Sequence, residues 1–424
     1  MKDRFFDFLN STIGSIAIIT MGLILIIEAK EVLPFSRVVL IAALLVAALV
    51  HLLNLVFRKD TRWRHFFFLA FYFVLGYCVY QYPEGFVRFN GYVVGIYALI
   101  NTIICNIDYF VSRENHDPAL FSKLIKIVIY ALFALALFII PYHSTSLVFV
   151  IAGIYLIIFG GLTLISNIES LANKKFNVAI SVPVLLSAII PVGLFFKIHN
   201  NREVYDNLDD NPYDDVVAPL EINIYVQGSG FESFGHLDIS IDGTIYSYGC
   251  HDPKGRTLGG AVGDGVLIKV NRSDFLENAM KTRKTMIFNF GLNPDEEVMN
   301  LIRERLKTLM NNAVPFNCEA RNQELKGEEM NADDYISDVY KDTHCELYKF
   351  KAGRFKKYFV FTTNCVLLSD YLIRNEEIDL LNMSGIITPG AYLNYLFQLY
   401  IKKDSIIKRL KIYKKSPNQK ETTI

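Results

Sequence analysis

The sequence predicts an α-helical membrane bundle followed by a soluble α+β domain built on an antiparallel sheet. Three observations predict it. Residues 12–197 hold a series of long apolar runs. Residues 203–424 have the mixed composition of a soluble domain. That second half opens on short stretches of alternating apolar and polar residues around a strong hairpin signal, Asp242-Gly243. A chain of 424 residues accommodates more than one domain, and its net charge of zero offers no case for a nucleic-acid partner.

A helix of about 18 or more apolar residues spans the hydrocarbon of a bilayer. About seven such spans are expected, near 12–29, 37–57, 65–82, 89–111, 121–141, 144–168 and 178–197. The first follows Lys2 and Arg4 as a signal peptide would, but Ile27-Glu28-Ala29-Lys30-Glu31 offers no small-x-small cleavage site, so it reads as a retained helix. Pro183 and Pro191 interrupt the last span, which membrane helices tolerate. With the N-terminus inside, the inner segments carry eleven basic residues (Lys2, Arg4, Arg58, Lys59, Arg62, Arg64, Arg113, Lys123, Lys126, Lys174, Lys175) and the outer loops three (Lys30, Arg37, Arg88). The positive-inside rule therefore fixes the N-terminus in the cytoplasm, and seven crossings put the second half outside it.

Pro34, Pro83 and Pro141 each mark the connection of a helical hairpin. Small residues follow in the next span: Ala42 and Ala43, Gly91 and Gly95, and Gly153 with Gly160-Gly161. Over roughly residues 12–168 this pattern resembles the HdeD-like family of small six-helix membrane proteins. His51 and Asp108 are the ionisable groups that interrupt the spans, both near span ends. An ion or proton pathway calls for more, so the bundle reads as an anchor or scaffold.

The expected boundaries are 1–198 for the membrane domain, 199–220 for an acidic linker with Pro212 and Pro219, 221–413 for the soluble domain and 414–424 for a polar, disordered tail. The linker lacks the turn glycine of an EF-type calcium loop. Residues 221–226 alternate as a strand. A second strand runs from His236 to the Asp242-Gly243 turn, and 244–248 return. The glycine-rich stretch 255–265 has no Gly-Lys-Ser/Thr and opens no helix, so it is not a phosphate loop. An amphipathic helix is expected over 294–312 and a strand over 358–361. The Cys365 helix follows, then a helix capped by Thr388 with Pro389 at its first position. The basic stretch 401–415 reads as a solvated helix face or as a contact for anionic lipid or wall polymer.

Cys78 and Cys105 fall in spans and serve as small apolar residues. Cys318 and Cys345 are either a disulfide outside the cell or both reduced. Cys365 sits in Thr362-Thr363-Asn364-Cys365, the capped start of a helix, where backbone N–H groups favour a thiolate and can donate to an oxyanion. Asn364 or Thr363 is the cap. His236, in Gly235-His236-Leu237-Asp238, is the base that such a thiol needs and the acid for its leaving group. A two-residue turn pairs Ile241 with Thr244 and puts His236, Asp238 and Ser247 on one face. Ser247 is then the first choice to orient the imidazole and Asp238 the second. A longer loop brings Tyr248 into that place instead.

The sequence Gly235-His236-Leu237-Asp238-Ile239, the return strand Ile245-Tyr246-Ser247-Tyr248-Gly249 and the later Asn364-Cys365 resemble the circularly permuted branch of the papain-like NlpC-type superfamily. That branch includes cell-wall amidases and the lecithin:retinol acyltransferase group. The resemblance covers about residues 220–400 and implies a permuted papain-like fold with Cys365 as nucleophile and His236 as base. In that family the third residue of the triad is often a histidine on the return strand, where this chain has Ser247 or Tyr248. Combined with the topology, the likeness implies a membrane-anchored, extracytoplasmic cysteine hydrolase. Its substrate would be an amide in peptidoglycan peptides or, alternatively, a lipid ester. A non-catalytic membrane scaffold that binds wall or lipid is the third reading. None of these requires a metal or a cofactor.

Overall fold

The computed structural model describes residues 2–57, 62–172, 217–226, 235–282, 286–373, 389–400 and 406–413. The expected span 178–197, most of the acidic linker, the Thr388 cap and the tail 414–424 lie outside the described residues. The chain forms two compact units, one of Met1–Ile103 with Ile125–Ile180, the other of Ile104–Leu124 with Ser181–Ile424.

The N-terminal part is helical: α1 (Lys2–Ile27), α2 (Val32–Phe57), α3 (Arg62–Gln81), α4 (Pro83–Glu114), α5 (Leu120–His143) and α6 (Thr145–Ala172). Three stretches are long and apolar enough to cross a membrane, Val32–Leu55, Pro83–Glu114 and Leu120–Ile140, with shorter apolar stretches at Thr12–Ile27 and Thr145–Ile158. Large apolar side chains such as Phe35, Val38, Phe71 and Leu132 stand exposed on these helices. Hydrocarbon satisfies such surfaces where water would not. Pro83 occupies the first position of α4, where its missing N–H costs nothing. Helices α1 and α6 meet backbone to backbone: a Cβ on Gly153 would come within 2.6 Å of the Gly22 carbonyl oxygen. His51 of α2 stands 3.0 Å from His65 of α3, nitrogen to nitrogen, so this interruption of the apolar pattern serves a helix–helix contact.

The second unit is an antiparallel sheet with helices on both faces. Its elements are β1 (Leu220–Val226), β2 (His236–Ile241), β3 (Thr244–Gly249), β4 (Val262–Asp264), β5 (Val266–Asn271), α7 (Arg272–Thr282), β6 (Met286–Leu292), α8 (Glu296–Met310), β7 (Ala313–Pro315), α9 (Glu319–Leu325), α10 (Tyr335–Thr343), β8 (Glu346–Phe350), β9 (Lys357–Phe359), α11 (Cys365–Ile373), α12 (Pro389–Tyr400) and β10 (Ile407–Tyr413). Eight strands form one sheet in the order β10-β6-β1-β2-β3-β5-β8-β7, and β4 pairs with β9 apart from it. Of the residues expected as a strand over 358–361, Tyr358 and Phe359 thus belong to the small ribbon, and 360–361 form a turn.

Strand alternation divides the core into two layers. Ile222, Ile224, Leu237, Ile239, Tyr248, Phe288 and Phe290 face α8, α11 and α12. Tyr225, Ile245, Ile268 and Ile287 face α7, α9 and α10. The hairpin joining β2 to β3 has its two turn residues at positive φ, Asp242 at 50° and Gly243 at 77°. It pairs Ile241 with Thr244 and Ile239 with Tyr246. Arg303 donates to both Asp242 carboxylate oxygens, at 2.8 and 3.0 Å, and holds that carboxyl below its usual range.

The basic stretch 401–415 corrects the sequence reading. Its described part is not a helix face but the edge strand β10, with Ile407, Leu410 and Ile412 buried. Arg409 is buried as well. It donates to Glu221 Oε1 at 2.5 Å and to Asn289 Oδ1 at 2.5 Å. Cationic residues alternating with apolar ones read as solvated until a buried carboxylate from a distant strand appears as partner. Cys318 and Cys345 are buried free thiols in one core layer. Burial pushes the Cys345 thiol up to about 12.

Candidate functional site

The Cys365 thiol begins α11. Asn364 caps that helix: its Oδ1 accepts the N–H of Leu367 at 3.1 Å, and its Nδ2 donates to the Val360 carbonyl at 2.9 Å. Asn364 is 3% exposed and Cys365 4%, so both are interior groups. The β2–β3 ladder ends at Ile239↔Tyr246, and beyond it the N–H of Leu237 is turned to the Cys365 sulfur. Burial pushes this thiol up to about 11, against the opposing pull of the Leu237 and Val366 N–H groups and with a further push from the Asp238 charge. The resting group is therefore a neutral thiol. Tyr248 and Tyr358 stand beside it, their rings 5.7 Å apart, and burial keeps both phenols neutral. The Tyr248 hydroxyl donates to the Phe355 carbonyl at 2.9 Å.

His236 and Ser247 are brought together, His236 Nε2 lying 2.8 Å from Ser247 Oγ. His236 and Cys365 are not. Leu237 shares the core layer of Cys365, and the alternation of β2 sends the neighbouring His236 side chain to the opposite face, against the Tyr225 ring at 5.7 Å. The expected thiol–imidazole contact is thus corrected by one residue of strand register: the backbone after His236 meets the sulfur, and its imidazole meets Ser247. Asp238, fully buried, accepts from Asn223 Nδ2 at 2.8 Å, and Asn223 accepts from Asn289 at 2.6 Å. This chain of buried polar groups continues to Arg409 and Glu221, and Arg272 also donates to Glu221. Tyr248 lies on the Cys365 face, not beside His236.

Sequence reasoning missed His251. Its ring centroid lies 6.1 Å from that of His236 and 5.0 Å from that of Tyr335 in α10. Gly249 makes this possible, because a Cβ there would fall 2.5 Å from His251 Nε2. The signal in the sequence is a glycine two residues before a histidine at the end of a return strand, next to the position where the resemblance leads one to look for a second histidine. Among the described residues no group of three or more His, Cys, Asp or Glu side chains is arranged to hold a metal ion.

The comparisons with known proteins speak to the helical half. Residues 70–139, from within α3 to near the end of α5, match the family described as "Short repeat of unknown function (DUF308)". That match and the apolar helices fit a membrane domain in the N-terminal half. No curated protein and no solved structure matches the chain.

Proposed function

We propose that the C-terminal domain is a membrane-anchored cysteine hydrolase that attacks an amide or ester carbonyl, with Cys365 as nucleophile and His236 as base. The observation that carries this reading is the seat of Cys365: a thiol at the capped start of a helix, met by the N–H groups of Leu237 and Val366 at the end of the strand that carries the histidine. In the reaction His236 leaves Ser247 and takes the thiol proton, a step that requires the end of β2, paired there with β1 but no longer with β3, to shift and bring the imidazole to the Cys365 face. The thiolate bonds to the carbonyl carbon and the carbonyl π pair moves to oxygen. Collapse breaks the C–N or C–O bond, and the imidazolium gives its proton to the departing amine or alkoxide. Water then cleaves the thioester and restores the thiol. Ser247 holds the imidazole in its resting place.

One observation favours a second reading, a papain-like domain that binds wall or lipid without catalysis. The thiol is held neutral up to about 11 while the imidazole bonds to Ser247. Turnover of ester and amide probes by the full-length protein in detergent separates the two. Cys365→Ser is expected to lose on the order of a thousandfold or more, and His236→Ala roughly 10²- to 10⁴-fold. A Cys365→Ser protein as active as the parent, or a parent with no turnover, would leave the binding reading.

A further inference from the structure

Asp108, which breaks the apolar pattern of α4, belongs with the sheet to the second unit and finds its partners inside that unit. Its Oδ1 accepts the Thr362 hydroxyl at 2.6 Å and its Oδ2 lies 2.9 Å from Lys123 Nζ, which also sits 3.5 Å from Asp117. Asn115, 2% exposed, acts as a substitute backbone: its Nδ2 donates to the carbonyls of Arg354 and Lys357, at 2.8 and 3.3 Å, and its Oδ1 accepts the Lys357 N–H at 2.7 Å. Ile104, Ile107 and Val111 pack with Phe359, Val360 and Phe361. The segment gripped in this way, 354–362, leads directly into Asn364 and Cys365.

Helix length locates this grip. At 32 residues α4 is ~48 Å long, about 18 Å more than the hydrocarbon needs, which corresponds to roughly 12 residues. The docking residues, Ile104 to Asn115, are the last eleven residues of α4 and the one that follows it. The facing ends of α4 and α5 also carry Arg113, Lys123 and Lys126, which the positive-inside rule assigns to the cytoplasmic face together with Arg58, Lys59, Arg62 and Arg64.

The geometry points to the tip of the α4–α5 hairpin as the built-in platform of the catalytic domain, holding Cys365 at the cytoplasmic membrane face, so that the carbonyl it attacks belongs to a lipid of that leaflet and not to a wall peptide. This inference rests on the catalytic reading for its substrate and on the docking contacts alone for its location. It departs from the expectation that seven crossings place the domain outside. A cysteine thiol that works reduced, with Cys318 and Cys345 also free, suits that side.

The test has two arms on the full-length protein in native membranes. Glu114 and Lys356 face each other at 3.9 Å, with exposed or partly exposed side chains. In a Cys365→Ser background, the pair Glu114→Cys and Lys356→Cys is expected to form an oxidant-induced crosslink that neither single variant forms. A membrane-impermeant maleimide is expected to reach Lys356→Cys only after the membrane is opened. Labelling in intact cells would overturn the location whether or not the enzyme is active, and absence of the crosslink would overturn the docking. Asn115→Asp offers a second probe, because it keeps the acceptor for the Lys357 N–H but replaces the donor with a negative charge facing the Arg354 and Lys357 carbonyls. Labelling of its Lys356→Cys partner is expected to stay confined to opened membranes. In the second arm the parent protein receives phosphatidylglycerol vesicles or muropeptides. Release of fatty acid supports the assignment. Cleavage of the peptide with the lipid untouched overturns it while leaving the catalytic reading intact.

Discussion

Two faces of one strand carry opposite chemistry. On one side of β2, Leu237 and Ile239 are fully buried among aliphatic and aromatic side chains, with the Cys365 helix packed on them. On the other, His236, Asp238 and Ser240 continue a polar layer in which Glu221, Asn223 and Asn289 are equally buried. Burial is the same and the cost is not. Apolar groups gain from leaving water, whereas the polar layer is stable only because each charge has a partner. The difference teaches that this sheet separates the Cys365 thiol from the His236 imidazole by its own thickness, so the proposed reaction has to pass through the strand end where the two faces meet.

The largest expected effect tests the polar face as a structural element. Glu221→Ala leaves Arg409 and Arg272 without their shared carboxylate and is expected to cost about 3–5 kcal/mol, read by denaturant unfolding of the protein in detergent. A cost near that of an exposed ion pair would mean that water reaches this layer. A smaller effect is expected at the end of that polar face. Ser247→Ala removes the hydroxyl that holds His236 in its resting place and is expected to raise kcat about tenfold with KM unchanged, about 1.4 kcal/mol of barrier. A fall in kcat would show instead that this bond orients the imidazole during the reaction.

The hairpin register was legible, because a strict period of two around Asp242-Gly243 leaves one pairing that buries Ile239 and Ile241. That pairing puts His236, Asp238 and Ser247 on one face. The cap at Asn364 was equally legible, since it depends on neighbours within three residues. Which face α11 would cover was not. A strand pattern says which residues point the same way and nothing about the layer that packs on them. The other surprises share a physical cause, a polar group whose partner is distant in the chain. Arg409 meets Glu221 across 188 residues, and Asp108 meets Thr362 across 254. His251 took its place through the absent side chain of Gly249 and the ring of Tyr335, neither of which the local pattern around His236 contains.

The central claim is that Cys365 becomes covalently acylated although its imidazole rests on the other face. Intact-protein mass spectrometry of the full-length protein, quenched with acid seconds after mixing with a short-chain phospholipid, measures this directly. The account predicts an acyl adduct that hydroxylamine removes, located on the peptide containing Cys365, lost in Cys365→Ser and strongly diminished in His236→Ala. An adduct of the same yield in His236→Ala, or one that survives in Cys365→Ser, would contradict it.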